Sequence, residues 1–144
     1  MSVNKADRNE SKIQFEATYN AIVKDVASLV EKHFGAKDNY YTNNQKFLAI
    51  MESKIINVVS DIGTNIKMAN SIYPIYQNEL EERRKHQDFA IGLCYDLLNK
   101  YQVIMDLIYI PDDKYVTEIK NIIHEINALK KWRKSDNLKF RNLG

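Results

Sequence analysis

The 144-residue sequence contains one cysteine, two prolines and four glycines. A lone thiol, Cys94, cannot close an internal disulfide, and nothing in the opening MSVNKADRNESK resembles a signal peptide. Both features lead to the expectation of a reducing, cytoplasmic setting. So little glycine and proline leaves few turn-forming residues, which argues against many short strands and for long helices. Long hydrophobic runs are missing too. The densest, QVIMDLIYI, is broken by Asp106 and falls short of a membrane span.

Chemical signatures are equally sparse. His33, His86 and His124 fall on three different predicted helices, and no zinc-ligand spacing is present. The Glu-x-x-His pair that di-iron bundles use is absent, as is any glycine-rich phosphate loop. Cys94 stands on an apolar stripe with no histidine near it in sequence, so it reads as a small buried hydrophobe. The carboxylates are expected mostly to pair with lysines at helical spacing. These absences give no catalytic residue, no metal site and no cofactor, and the expectation is a protein that is not an enzyme.

What the sequence does contain is helical periodicity. Hydrophobic residues make up 44% and charged residues 28%, which describes an ordinary globular chain long enough for one continuous core. Ser11 and Gln14 have the spacing of a capping box, and Phe15, Tyr19, Ile22, Val23, Val26, Leu29 and Val30 then recur every three or four residues until Gly35. A second box, Thr42 to Gln45, opens a stripe of Leu48, Met51, Ile55, Val58, Ile62, Asn65 or Ile66, and Ala69. Gly63 inside it costs about 1 kcal/mol relative to alanine, which a long helix absorbs. SIYPIYQ interrupts the pattern at Pro74. A third box, Asn78 to Glu81, precedes Ala90, Cys94, Leu97, Tyr101, Ile104 and Ile108. Pro111 ends that helix, and Asp112 or Asp113 caps a fourth with Tyr115, Ile119, Ile122, Ile126 and Leu129. The expected fold is all-α: an antiparallel up-down-up-down four-helix bundle over residues 1–136, with a short basic tail over 137–144.

Charge is distributed unevenly along this frame. Residues 130–144 carry six cations (Lys130, Lys131, Arg133, Lys134, Lys139 and Arg141) against the single acid Asp136, so the rest of the chain is net acidic. Alternating helix direction would bring Arg83, Arg84 and Lys85 to the same pole as that C-terminal cluster, while Asp38, Asp112 and Asp113 mark the other. Such a pole calls for an anionic partner, and phosphate contact by these nine cations is favoured over simple solvation. Trp132, set among them, has two readings: packing on the rim of the core, which is the commoner fate, or stacking on a base. Asn65, Arg83 and Gln87 fall on or beside apolar seams, so they either satisfy one another in a polar layer or meet water where the bundle splays. Ile72, Tyr73, Ile75 and Tyr76 put more apolar surface in a turn than a turn usually exposes, and they either fold back onto the first helix or form a partner contact.

The stretches ERRKHQDFA, MESKIINVVSDIGTNIKMAN and LKKWRKSD resemble the four-helix-bundle family of accessory variability determinant proteins of diversity-generating retroelements, whose relatives are encoded in intervening sequences of bacterial 23S ribosomal RNA genes. The likeness runs from about Phe15 to Asp136 and includes an Arg-x-x-x-Gln-x-x-Ala frame (Arg83, Gln87, Ala90) and a Trp-x-Lys-Ser-Asp ending (Trp132 to Asp136). It implies a homopentameric ring with a basic surface that binds a reverse transcriptase and its template RNA, alone or as an RNA/DNA hybrid, in mutagenic retrohoming. The retroelement branch is more strongly basic than this chain, which leaves the intervening-sequence branch open. A protein-interaction scaffold without a nucleic-acid role is the alternative.

Overall fold

The computed structural model describes the backbone of residues 5–34, 45–107 and 112–143, and the side chains of 15–32, 45–107 and 113–143. Every regular element among the described residues is helical. Helix α1 (Lys5–Leu29) runs into a π-helical turn, Val30–Phe34; α2 spans Gln45–Ser71, α3 Gln77–Met105 and α4 Asp112–Lys139. At 1.5 Å per residue each is about 40 Å long. Gly35, Asp38, Thr42, Ile108, Pro111 and the side chains of Ser11, Gln14, His33 and Asp112, all named in the expectations above, lie outside the described set.

The helices pack as a bundle around the predicted stripes. Phe15, Ile22, Val26 and Leu29 of α1 are buried, as are Leu48, Met51, Ile55, Val58, Ile62, Ile66 and Ala69 of α2. So are Ala90, Cys94, Leu97, Tyr101 and Ile104 of α3, with Ile122, Ile126 and Leu129 of α4. Val23 is an exception: it faces water. Burial of each such aliphatic side chain is worth about 1.5–3 kcal/mol, so the four stripes dominate the stability of the fold.

Contacts between helices run in opposite residue order. Along α1 and α4, Phe15 stacks on Trp132 with ring centroids 4.6 Å apart, the Asn121 amide donates to Asp25 (2.8 Å), and Lys114 donates to Ser28 (3.2 Å). Along α3 and α4, Arg83 meets Asp136, Asp88 meets Arg133, and Lys130 donates to the Tyr95 hydroxyl (2.8 Å). The start of α3 and the end of α4 therefore share one pole.

Gly63 has a packing role beyond its helix propensity. The Tyr19 hydroxyl of α1 donates to the Val59 carbonyl of α2 (2.9 Å). A Cβ on residue 63 would stand 2.7 Å from Cζ of Tyr19 and closer still to its hydroxyl. Only a residue without a side chain admits the tyrosine there.

Three expected boundaries are corrected. Ser11 does not cap α1, which starts at Lys5, because nothing between Lys5 and Ser11 breaks a helix. Asn78 does not open α3 either. Tyr76 is the cap, and the Glu79 carboxylate accepts from the backbone N–H groups of Tyr76 (2.9 Å) and Ile75 (3.1 Å). Helix α4 passes through the boundary drawn at Asp136: it continues to Lys139, and Phe140 is buried after it, so residues 137–140 belong to the bundle. Phe140 meets the Tyr73 ring edge-on, and that apolar contact holds the chain end in place.

Candidate functional site

The shared pole is organised around Asp136. Arg83 approaches it side-on, with Nε 2.6 Å from Oδ2 and Nη2 3.1 Å from Oδ1. The Gln87 amide donates to the same Oδ2 at 2.7 Å. The remaining Arg83 nitrogen donates to the Ile72 carbonyl just past the end of α2 (2.8 Å), one of the carbonyls that a helix terminus leaves without a partner. The guanidinium also lies 5.1 Å from the Trp132 ring centroid and 5.8 Å from that of Phe140. One buried cation thereby ties the end of α2, the start of α3 and the end of α4.

This network revises the expected polar layer. Arg83 and Gln87 do share it, through Asp136. Asn65 does not. Its carbonyl oxygen is 3.0 Å from Nδ1 of His86 while its amide donates back to Asp61, one turn earlier on α2. Asp136 was the unrecognised member, although it stands four residues after Trp132 and seven after Leu129 on the buried face of α4. His86, buried and 3.4 Å from Glu82, was the other.

The nine predicted cations all reach this pole or the adjoining helix faces, but they divide by partner. Arg83 is buried and neutralised by Asp136, so it is not available to a phosphate. Arg133 pairs with Asp88, Arg84 donates to Asn137, and Lys130 lies over the Tyr95 ring while bonding its hydroxyl. Lys139 lies over the rings of both Tyr73 and Phe140. Lys85, Lys131, Lys134 and Arg141 are exposed, and among the described residues none of them forms an ion pair. Trp132 is buried against Phe15, so of its two readings the core one holds. Tyr73, Ile75 and Tyr76 are all more than 60% exposed. Tyr73 contacts Lys139 at the end of α4 and Phe140 just after it.

A second polar feature lies deep in the bundle. Glu118 and Glu125, two turns apart on one face of α4, are buried, and none of their four carboxylate oxygens closes a hydrogen bond among the described residues. Burial raises the Glu125 carboxyl to about 8. It raises Glu118 to about 7, helped by the Asp25 carboxylate and opposed by Lys114 and the nearby Tyr101 hydroxyl. Both are therefore neutral over most of the acidic range. Cys94 is pushed up to about 12 by burial and by the Glu125 charge, which leaves it a thiol. Burial, with the Glu125 and Cys94 charges, raises Tyr19 as well, against a backbone hydrogen bond from Gly63.

The expectation that carboxylates mostly pair with lysines one turn away fails. Lys100–Asp96 (2.7 Å) is the lysine–carboxylate pair at that spacing among the described residues, and the other ion pairs of lysine or arginine cross between helices. No three His, Cys, Asp or Glu side chains in the described set are grouped to hold a metal ion. No described helix is long and apolar enough to cross a membrane. No protein-family model, curated protein or solved structure matches this chain.

Proposed function

We propose that the chain is a non-catalytic, oligomeric accessory protein that binds RNA at its basic pole and serves a reverse transcriptase in the cytoplasm. In this reading the four helices run up-down-up-down, the bundles assemble into a homo-oligomeric ring of five, and polymerase chemistry belongs to the partner. The setting is mutagenic retrohoming by a diversity-generating retroelement, with template RNA, alone or paired with DNA, as the bound polyanion.

The observation that supports the reading is the meeting of two distant clusters. Residues 77–88 and 130–141 together hold nine cations and five acids. The contacts Arg83–Asp136 and Arg133–Asp88 bring the two segments side by side. Those contacts neutralise two cations and two acids, which leaves seven cations, the exposed Lys85, Lys131, Lys134 and Arg141 among them, against Glu79, Glu81 and Glu82. Exposed cations without an ion-pair partner release counterions when a phosphate chain replaces the salt around them.

Fluorescence anisotropy with a labelled single-stranded RNA, repeated over a range of salt, tests the proposal. Log affinity falls with log salt at about −0.7 per contacted phosphate. Replacing Lys85, Lys131, Lys134 and Arg141 by glutamine flattens that slope and leaves helicity intact. An unchanged slope removes the phosphate role from this pole. Light scattering tests the ring separately, and a mass equal to one chain overturns it.

A further inference from the structure

We infer that Tyr73 and Tyr76 form a base-stacking platform beside the cations, so that the nucleic acid bound at this pole is single-stranded rather than duplex. The inference rests on the polyanion-binding reading of the same pole and adds the class of ligand.

The turn between α2 and α3 places two tyrosines and an isoleucine in water, with Tyr73 and Ile75 64% exposed and Tyr76 63%. Large apolar side chains held this open cost solubility unless something covers them. Charge indicates what does. The Lys139 ammonium lies 5.0 Å from the Tyr73 ring centroid, and Arg141 follows two residues later on the surface. Phe140, buried between them in sequence, braces Tyr73 from its edge with centroids 5.6 Å apart, so the ring is pre-oriented. Exposed aromatic rings interleaved with cations match the two needs of an unpaired strand: faces for bases and charge for phosphates. A duplex offers no unstacked base and leaves the tyrosines idle.

The surroundings also set a path. Beyond Tyr76 the first turns of α3 present Glu79, Glu81, Glu82 and Lys85 around a shallow depression with Ile72 and Asn78. Three carboxylates against the single Lys85 make that side net acidic, so the strand leaves the platform mainly toward Lys134 and Lys139 of α4 and Arg141 just beyond it. Tyr76 is 63% exposed, and the Glu79 carboxylate caps α3 through the Tyr76 backbone N–H, which an alanine there keeps.

The test compares a labelled single-stranded oligoadenylate of about 16 nucleotides with an adenine–uracil duplex of the same length, the length being the upper end of the site sizes that such grooves cover. The single strand is expected to bind more tightly. Tyr76→Ala and the Tyr73→Ala/Tyr76→Ala pair are expected to weaken single-strand binding by about tenfold or more per ring, and Tyr76→Ala, which keeps the Tyr73–Phe140 contact, is expected to leave duplex binding and the salt slope unchanged. Tyr73→Phe/Tyr76→Phe retains the wild-type preference because it keeps both faces. Equal binding of strand and duplex by the wild type overturns the inference. So does an alanine variant that alters the solution mass and not the affinity, which would make the patch a subunit contact. If the alanine variants bind normally while glutamine at Lys131, Lys134 and Arg141 weakens binding, the platform is refuted and the phosphate-binding reading stands. Failure of the wild type to bind either oligonucleotide at low salt refutes both.

Discussion

Arg83 and Asp136, 53 residues apart, meet in a side-on ion pair with both side chains about nine-tenths or more buried. All three guanidinium nitrogens and both carboxylate oxygens are engaged: the carboxylate takes three hydrogen bonds, and the guanidinium also closes the end of α2. Removing one partner strands a buried charge. Asp136→Ala is expected to cost about 3–5 kcal/mol in urea unfolding, and Arg83→Ala a similar amount. The pair Arg83→Met/Asp136→Leu removes both charges and should recover most of the loss. A double variant as unstable as the sum of the singles would show that the contact does not bind the pole together.

Gly63 gives a second prediction. Gly63→Ala removes a residue of poor helix propensity and would by that measure stabilise α2 by about 1 kcal/mol. The Tyr19 ring reverses the sign. A methyl group pressed against Cζ and the hydroxyl of Tyr19 forces the ring out and breaks its bond to the Val59 carbonyl, an overpacking cost of about 1–3 kcal/mol. Thermal unfolding should therefore show Gly63→Ala below wild type, and Gly63→Ala/Tyr19→Leu above the single variant Gly63→Ala. A stabilised single variant would contradict the packing.

The apolar faces were legible in the sequence because they depend on local periodicity. Every predicted stripe position of α2 that is apolar is buried, and the interruption at SIYPIYQ is real. Caps were less legible. Ser11 and Asn78 are both acceptable first residues, and short-range spacing cannot choose between them and a frame that starts earlier. The pole was legible as a charge pattern but not as a network, since which cations remain free depends on Asp88, Asn137 and Tyr95, which lie on facing surfaces. Asp136 looked like one acid diluting a basic tail. Its position one heptad after Leu129 was the available signal. Glu118 and Glu125 carried the same signal, lying one heptad apart and four residues ahead of Ile122 and Leu129 on the buried face, and charge alone argued them outward.

Cys94 should be inert in the native protein. It is fully buried between apolar neighbours, and its thiol is pushed up to about 12, so thiolate is scarce at neutral pH. A disulfide reagent added in buffer is expected to label it only at the rate of unfolding, and immediately in denaturant. Rapid native labelling would place the thiol at the surface and call the α3 seam into question.

The two buried glutamates make stability depend on pH in a stated direction. Both carboxyls are raised in the folded state, to about 7 for Glu118 and about 8 for Glu125, from an ordinary value of 4.5. Below that ordinary value folded and unfolded chains are both protonated, and the folded state bears no penalty. As pH rises above it, the unfolded chain releases these protons first, so folding stability falls with pH until the folded carboxyls themselves ionise. The window runs from about pH 4.5 to 8, and the combined loss is on the order of a few kcal/mol. Glu125→Gln removes one titration and keeps the volume. Its unfolding free energy relative to wild type should climb steadily between pH 5 and pH 8, since only the wild type loses stability through that site, and Glu118→Gln should climb over a narrower range ending near pH 7. Parallel pH profiles for the variants and the wild type would mean that both carboxylates are solvated, and that the bundle is open along this face of α4.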